Sequence, residues 1–590
     1  MSEPDFRARI EERFAGRVRE AYSSHGMLTL VVDKEIIGEL CRFLKEDGDN
    51  RFDYLSDLCG VDYHPDTPRF EVVYHLYSIP HRHRLRLKCR LGEDESIPSV
   101  TAVWGTAGWH EREAYDMYGI VFDGHPDLRR IYMWEGFEGY PLRKDFPVRG
   151  YKDDYNPFGE EEAERPASQA RASAAGQHSK PPRFHQSIAT ARVEPEGGAR
   201  ATKEMFLNLG PQHPSTHGVL QLVLDLEGEI IERVDPIIGY LHRGTEKLAE
   251  GFTYTQVFPL TDRLDYLCQP SNNQAYALAV EKLLGIEAPE RAQYIRVMMT
   301  ELSRISGHLL ISGALPMDLG ALTALLYTMR EREMILDLLE MITGARMHTS
   351  YCRVGGVRED LPEGFVERAE EFCRIFPRRI VDYERLVAEN RMFLKRTRGI
   401  GVISAENAID LGLGGPNLRG SGVDWDMRRD NPYEIYDRLD FDVIVRDGGD
   451  CYDRWECRME EMKVSVKIIE QCLRQMPDGP VKVDMPEIAF PLDKQLVKSS
   501  MEALIHHFKV AAHGFKVPKG EAYSSIEAPK GELGFYIISD GSEKPFRVKV
   551  RAPSFVNLQA LLGGATNMDY LADVVAMLGS LDPVLAEVDK

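Results

Sequence analysis

A segment near the middle of the chain limits what the sequence can fold into. From Gly159 to Arg183 it contains no Val, Ile, Leu, Met, Cys, Phe, Tyr or Trp. Such a segment cannot bury enough apolar surface to offset the entropy that ordering costs. We therefore predict a flexible linker over 159–203, between folded domains over 1–158 and 204–590. The length of 590 residues also favours more than one hydrophobic core.

Composition argues against several classes of protein. Lys and Arg number 73 and Asp and Glu 94, a net charge of −21, so a nucleic-acid partner is not expected. The nine cysteines include no Cys-x2-Cys pair, which is typical of reduced cytosolic thiols. No apolar run approaches the roughly 18 residues of a membrane span. We predict a soluble or peripheral protein with no metal site and no iron–sulfur cluster of its own.

The N-terminal domain is predicted to mix helices and strands. Two helices are predicted to come first, and the second of them spans 36–44. Strands follow over 70–77 and 84–91 and form a hairpin around Pro80. Within 84–91, Arg and Lys alternate with apolar residues, so one strand face is buried and the other is basic. We expect the basic face to be solvated; docking onto an acidic neighbour is the alternative. The first helix is indicated by apolar residues at four-residue intervals, Phe6, Ile10, Phe14 and Val18.

Three blocks at 111–119, 124–130 and 139–147 are aromatic, charged and punctuated by Gly and Pro. This composition favours an extended interaction surface over a core. Asp, Glu, Arg and His are all present, so a catalytic role is the alternative. However, nothing in the spacing indicates a nucleophile–base pair.

The C-terminal domain is predicted to begin with strands and then become helical. The fold class is therefore α+β: a small mixed α/β N-terminal domain, a linker, and a mainly helical bundle with small antiparallel β elements. Terminal strands over 534–538 and 546–550 flank a turn at 539–542. The remaining predicted elements are strands at 205–209, 219–226 and 229–234 and helices at 274–284, 290–311, 322–343, 363–376, 455–476 and 494–508.

The segment 208–218 reads Asn-Leu-Gly-Pro-Gln-His-Pro-Ser-Thr-His-Gly. Its Gly and Pro residues disfavour a helix, and apolar runs flank it, so we predict a hairpin tip that presents His213 and His217. An imidazole can donate, accept and supply a proton. Two alternatives remain open: solvated histidines, or a zinc site, for which no third ligand lies nearby.

This loop resembles the one that opens the D-type subunit of NADH–quinone oxidoreductase, respiratory complex I. The resemblance covers 204–590, and the blocks within 111–147 resemble the signature of the C-type subunit. The chain is accordingly identified as a member of the fused C/D subunits of the bacterial enzyme, whose D-type part is related to nickel–iron hydrogenase large subunits. Further matching motifs lie at 238–247, 262–266, 316–320, 346–348, 355–360 and 551–559.

The resemblance implies roles for five residues. It places a quinone headgroup between His217 and Tyr266, with Asp318 orienting His217. It places Arg263 and His348 beside the terminal [4Fe–4S] cluster of a partner subunit. From the residues alone, Tyr266 could be a core tyrosine, Asp318 a helix cap, and Arg263 and His348 members of salt bridges.

The resemblance also implies a function and partners. The chain would be a subunit of proton-translocating NADH:quinone oxidoreductase, passing electrons from the partner's cluster to quinone, its substrate. NADH and FMN would bind other subunits. The partners would be the B-type iron–sulfur subunit, the I-type ferredoxin-like subunit and membrane subunits H and A, on the cytoplasmic side of the inner membrane. Alternatives are a related quinone-reducing complex with another donor, a membrane-bound hydrogenase, or a scaffold without a site.

Two further signals are discounted. The glycine-rich segment 412–422 follows no convincing strand, so we predict a structural loop and no dinucleotide site. The segment 582–587 reads Asp-Pro-Val-Leu-Ala-Glu and lacks the cysteines that a nickel–iron site needs at this end of the chain.

Overall fold

The computed structural model describes residues 3–152, 156–160, 204–485, 487–488, 494–562 and 568–590. The predicted linker lies outside these residues, except for its first two positions. Of these, Glu160 forms an isolated β-bridge with Tyr151, so it packs back onto the N-terminal part.

The N-terminal part is built on a five-stranded mixed sheet of order β1-β2-β5-β4-β3, in which only β2 and β5 are parallel. Leu40 and Leu44 on one face of α2 are fully buried in the same core as the sheet. A short parallel pair joins β6 (Ser96–Pro98) and β7 (Val121–Asp123). The other elements are β1 Val18–Ser24, β2 Met27–Val32, β3 Tyr54–Asp62, β4 Phe70–Ser78, β5 His83–Leu91, α1 Glu3–Arg13, α2 Ile37–Glu46 and α3 Ala107–Tyr118.

The predicted second helix and the hairpin around Pro80 are confirmed, since Ser78 pairs with His83 across the turn. The predicted extent of the first helix is wrong. Helix α1 ends at Arg13, and Gly16 adopts a left-handed φ of 75° that turns the chain. Val18 therefore begins strand β1 and pairs with Val32.

The C-terminal part combines a helical bundle with two three-stranded antiparallel sheets, of order β10-β9-β8 and β13-β14-β15. Its strands are β8 Glu204–Leu209, β9 Gln221–Glu227, β10 Ile230–Ile237, β11 Cys352–Arg353, β12 Gly356–Val357, β13 Gly520–Ala528, β14 Gly531–Ser539 and β15 Arg547–Arg551. Its helices are α4 Thr245–Gly251, α5 Phe258–Thr261, α6 Gln269–Leu284, α7 Glu290–Asp318, α8 Leu322–Thr343, α9 Phe365–Val387, α10 Arg391–Thr397, α11 Ala405–Asp410, α12 Pro416–Arg419, α13 Met427–Asp430, α14 Cys451–Gln475, α15 Lys494–Ser499, α16 Met501–His513, α17 Pro553–Leu558, α18 Leu571–Leu581 and α19 Leu585–Val588.

Helix α7 is the centre of the bundle and packs against α6, α8 and α14. Its residues Ile295, Leu302 and Leu309 are fully buried, which fixes the helix in the core. The helix ends at Asp318, so the bundle positions that carboxylate at the end of its longest element. No helix in the described ranges is both long and apolar enough to cross a bilayer.

The predicted α+β class is confirmed, but two details of the C-terminal part differ. The predicted helix over 494–508 is two helices, because the Ser500 side chain accepts the Ala503 amide and caps the start of α16. Strand β13 was not predicted. It carries Glu521 and Glu527 at largely buried positions, so it lacks the alternation of a half-exposed strand.

The expectation that the basic face of β5 is solvated is wrong. This face docks onto the β13–β14 sheet of the C-terminal part. Lys88 Nζ lies 2.7 Å from Glu521, and Arg86 lies 2.9 Å from the same carboxylate. Arg84 lies 2.9 Å from Glu532. The acidic partners lie more than 400 residues further along the sequence (448 for Arg84 and Glu532), so no local pattern could reveal them.

Each of the three predicted blocks within 111–147 lines the same boundary, as an interaction surface should. Glu113 lies 2.6 Å from Lys549, Arg129 lies 2.8 Å from Asp235, and Lys144 lies 2.8 Å from Glu250. Next to the blocks, His110 packs against Phe555, and the Tyr132 hydroxyl donates to the Val588 carbonyl at 3.0 Å. The two parts are therefore joined by charge pairs, hydrogen bonds and apolar contacts.

Cleavage of the chain between 159 and 183 is expected to leave the two parts associated, because this boundary does not depend on the linker. A protease site introduced there, followed by size-exclusion chromatography, tests the prediction, with the uncut chain as the control. Separate elution of the two fragments, or failure of the cut protein to assemble into its complex, would contradict it.

Candidate functional site

The loop with the two histidines connects β8 to β9 as the sequence predicts, with Leu209 paired to Leu222 at its base. A Cβ at Gly210 would collide with the Leu220 carbonyl, so only glycine fits there. A single 3-10 turn, Pro214–Thr216, fixes the tip. The exposed His213 caps this turn, since its Nδ1 accepts the Ser215 amide at 3.3 Å. His213 thus has a structural role.

His217 is the histidine that enters the protein. It follows the turn in a left-handed conformation with φ 53°, which directs the chain back towards the bundle. Its Nε2 lies 2.7 Å from Oδ2 of Asp318, and the two side chains are 16% and 6% exposed. The predicted pairing of these residues is therefore present. Asp318 is not a helix cap: it is the last residue of α7, and its carboxylate is used by the imidazole.

Helix α18 lies directly against this pair at a glycine. A Cβ at Gly579 would lie 3.6 Å from His217 Nε2 and 3.7 Å from Asp318 Oδ2. It would also lie 2.9 Å from a methyl group of Leu315 on α7. The absence of a side chain at Gly579 thus lets α18 approach His217 and Asp318, which are held among the loop, α7 and α18.

Tyr266 lies between α5 and α6 and is 36% exposed, so it is not the core tyrosine that its sequence context would suggest. Partial burial, and then the neighbouring Asp265 carboxylate, raises the pKa of its phenol. The phenol therefore keeps its proton at neutral pH and can donate a hydrogen bond. Within the described part of the chain, no hydrogen bond joins Tyr266 to His217 or Asp318.

A buried charge cluster connects the surroundings of Tyr266 with those of His217. Lys530 Nζ lies 2.9 Å from Asp265, the residue before Tyr266. The same ammonium lies 3.6 Å from Asp582, which directly follows α18. These three side chains are almost completely buried. Lys530 and Asp265 were not predicted as site residues, because no local spacing relates positions so far apart in the chain.

Glu587 lies beside this cluster and accepts the Ser554 amide at 3.2 Å. Its burial, together with the nearby Asp265 carboxylate, raises its pKa to about 7. Because Asp265 and Glu587 lie near the same buried ammonium, the negative charge of Asp265 disfavours ionisation of Glu587. The region therefore contains an acid that can change protonation near neutral pH.

Arg263 and His348 lie on adjoining segments of an exposed surface. Asp262 connects the segments by accepting hydrogen bonds from the Ser350 amide, at 3.2 Å, and hydroxyl. Arg263 donates to the Pro259 carbonyl at 2.7 Å. Among the described residues neither Arg263 nor His348 forms the ion pair that the salt-bridge alternative requires.

Arg243 adds a second uncompensated cation beside Arg263. Its guanidinium donates to the carbonyls of Arg263, at 2.7 Å, and Ala586. Burial lowers the pKa of Arg243, and no carboxylate pairs with it in the part of the chain that the structure describes. Unpaired cations at a surface favour an anionic partner group. Arg243 lies within the matching motif at 238–247, but no role was predicted for it.

The glycine-rich segment 412–422 was predicted to be a structural loop, but it contains the short helix α12 between turns. Helix α11 precedes it, not a strand. Gly415 approaches Gly531 so closely that a Cβ there would lie 2.7 Å from the Gly531 nitrogen. The loop is thus filled by contacts with the protein itself, and its glycines serve packing.

The nine cysteines are all buried and free. Across the described residues, no three side chains of His, Cys, Asp or Glu converge in a way that could hold a metal ion.

Comparisons with known protein families match both parts of the chain. A family described as the 49 Kd subunit of respiratory-chain NADH dehydrogenase matches residues 318–590. A family described as the 30 Kd subunit of the same enzyme matches residues 30–152.

Individual relatives extend the match to the whole chain. A fused C/D-type NADH-quinone oxidoreductase subunit of Aquifex aeolicus is 41% identical over 99% of this chain and 98% of its own length. The C/D-type subunit of Methylococcus capsulatus is 41% identical over 98% of this chain and 97% of its own length. A D-type subunit of Rhizobium etli is 78% identical over 68% of this chain and 99% of its own length. This chain therefore belongs to the family of fused C/D subunits of NADH–quinone oxidoreductase.

Proposed function

We propose that this chain, within a proton-translocating NADH:quinone oxidoreductase, binds the quinone headgroup between His217 and Tyr266 and supplies both protons for its reduction. The observation that carries the proposal is the 2.7 Å contact between His217 Nε2 and Asp318 Oδ2. A carboxylate in this position stabilises a protonated imidazole. Tyr266 supports it as a partly exposed phenol that stays protonated.

Reduction of a quinone to a quinol requires two electrons and two protons, one proton for each carbonyl oxygen. His217 would donate to one oxygen and Tyr266 to the other. Each hydrogen bond also polarises the carbonyl that accepts it, which favours electron arrival. Glu587, with a pKa of about 7, is suited to help restore protons from inside the protein.

The electrons would come from a [4Fe–4S] cluster on the B-type partner subunit. This cluster would face the surface with Arg263 and His348, where unpaired cations suit an anionic cluster and favour its reduced form. The I-type subunit and membrane subunits H and A would be further partners. NADH and FMN would bind elsewhere in the complex, and the chain would lie peripherally on the cytoplasmic side of the bacterial inner membrane.

Loss of the His217 proton would leave Asp318 without its counter-charge. A carboxylate that is 6% exposed is costly without a partner, so the Asp318 end of α7 is expected to respond to each reduction. This change of charge is our proposed link to proton translocation in the membrane subunits. The hydrogenase alternative would need cysteine ligands near both ends of this part of the chain, and neither 208–218 nor 582–587 contains a cysteine.

Replacing Asp318 by Asn tests the proposal, because Asn keeps the shape and removes the charge. NADH-driven quinone reduction is expected to fall about tenfold or more, since hydrogen bonds to charged groups are worth roughly 1.5–3 kcal/mol. Oxidation of NADH by an artificial acceptor that bypasses quinone should be unchanged. Asp337→Asn, on a side chain that is 59% exposed, is the matched control and should alter neither rate.

His217→Ala tests whether quinone reduction and proton translocation both depend on His217. We expect it to slow quinone reduction and proton translocation together. If it abolished translocation and left quinone reduction at full rate, His217 would not be a proton donor to quinone. The order of events proposed above would then be wrong.

A further inference from the structure

A cavity of about 530 Å³ lies between the two parts of the chain. Its N-terminal wall includes Arg82, His83 and Arg84, at the turn into β5, together with apolar and aromatic residues of the N-terminal part. Its C-terminal wall is formed by Lys282 near the end of α6, by 431–433 and by 523–525 of β13. None of its lining residues belongs to the proposed quinone site, and its volume suits a small-molecule ligand.

The cavity is basic within an acidic protein. Although the whole chain has a net charge of −21, no Asp or Glu of the described residues lines this space. The acids that compensate its cations lie behind them: Asp430 is 3.0 Å from Arg82, and Glu532 is 2.9 Å from Arg84. The surface that faces the cavity is therefore positive, which favours an anion.

Arg84 presents a fixed guanidinium to this space. It lies over the rings of Tyr77 and Tyr523, at 4.8 and 5.3 Å from their centroids. It also donates to the Ser525 hydroxyl at 3.1 Å. Because these contacts hold the side chain in one place, little conformational entropy would be lost when it binds an anion.

Lys282 lacks a counter-ion. Its ammonium donates to the Tyr523 carbonyl at 3.1 Å, and among the described residues no carboxylate pairs with it. Burial, followed by the nearby Arg84 and Arg86, lowers the pKa of Lys282 to about 8. The amine is still mostly protonated at neutral pH, so it is a partly buried charge with no carboxylate partner in the described part of the chain.

The remaining walls suit a planar ring. The aromatic side chains of Phe52, Tyr77, Tyr433 and Tyr523 line the space beside the amides of Asn50 and Asn431. Aromatic faces bind flat heterocycles, and amides can satisfy the ring's donors and acceptors. Arg84 covers the rings of Tyr77 and Tyr523, which leaves the rings of Phe52 and Tyr433 and the two amides for a flat heterocycle. Together with the cations, this lining favours a ligand that has both phosphate and an aromatic base.

We propose that this cavity binds an organic phosphate of nucleotide size. Its phosphates would lie at Arg82, Arg84 and Lys282, and its base would lie against the rings of Phe52 and Tyr433. Since the cations come from both parts of the chain, the bound ligand would also strengthen the contact between them. The site is independent of quinone reduction.

Isothermal titration of the purified full-length chain with ATP tests the proposal. We expect one saturable site per chain, with ATP bound more tightly than pyrophosphate or inorganic phosphate. Lys282→Gln and Arg82→Gln, one from each wall, should each weaken binding about tenfold or more, because each removes a charged partner of the phosphates. Lys516→Gln, on a side chain that is 74% exposed, is the matched control and should bind ATP normally.

Two results would overturn the proposal. One is the absence of saturable ATP binding, or binding that neither Lys282→Gln nor Arg82→Gln weakens. The other is pyrophosphate binding as tightly as ATP, which would remove the nucleotide base from the recognised ligand. The use of two variants from separate walls guards against one of them failing to fold.

Discussion

Replacement of Tyr266 by Phe is expected to lower NADH-driven quinone reduction by about 100-fold or more, the effect of losing a general acid. The change removes one hydroxyl and keeps the ring. Tyr266 is 36% exposed, and no hydrogen bond within the described residues engages its hydroxyl, so folding should be little affected. The loss therefore measures the proton and hydrogen bond that the phenol gives to quinone.

The measurement pairs two assays in membranes that contain the variant complex. One follows quinone reduction by NADH, and the other follows NADH oxidation by an artificial acceptor that bypasses quinone. Only the first rate should fall. Tyr327→Phe, at a position that is 43% exposed, is the matched control and should leave both rates intact. Loss of both rates in Tyr266→Phe would indicate an assembly defect, and loss of neither would exclude Tyr266 from the mechanism.

The contact between His217 and Asp318 shows how far the sequence alone could lead to this site. Gly and Pro around the loop correctly predicted a hairpin tip with two histidines. They could not distinguish the turn-capping His213 from His217, because that difference depends on a carboxylate 101 residues away. Only the family resemblance named Asp318. The charge cluster of Asp265, Lys530 and Asp582 was missed for the same reason.

The fold was predictable where burial is one-sided. Helix α8 was predicted with its observed bounds, since its apolar residues recur at helical spacing. Strand β13 was missed because both of its faces are covered and Glu521 lies on one of them. The error over the basic face of β5 has the same origin. An alternating charged strand is compatible with water or with an acidic partner, and only tertiary structure decides between them.

Glu521 is the carboxylate on which the contact between the basic face of β5 and the β13–β14 sheet depends. It lies 2.7 Å from Lys88 and 2.9 Å from Arg86, and it accepts the Tyr22 hydroxyl at 2.7 Å. Burial alone would raise its pKa, but Arg86 and Lys88 outweigh burial and hold the pKa at about 2. A carboxyl that ionises this readily in the folded protein stabilises the fold once it is charged.

Replacement of Glu521 by Gln is therefore expected to weaken the contact between the two parts by about 3 kcal/mol at pH 7, since the pKa is lowered by roughly two units or more and each unit is worth about 1.4 kcal/mol. With the linker cut, this corresponds to a dissociation constant raised by about 100-fold. Glu371→Gln, on a side chain that is 57% exposed, should change nothing.

The pH dependence of the Glu521→Gln effect tests its cause. Because the folded pKa is depressed, the contribution of Glu521 is present above the pKa of an unfolded glutamate, about 4.3. It is lost as the pH falls from there towards about 2, the folded pKa. The difference between wild type and variant should therefore be constant near neutrality and shrink in acid. A difference that stayed constant down to about pH 3 would mean that packing, and not charge, joins the basic strand to its partner sheet.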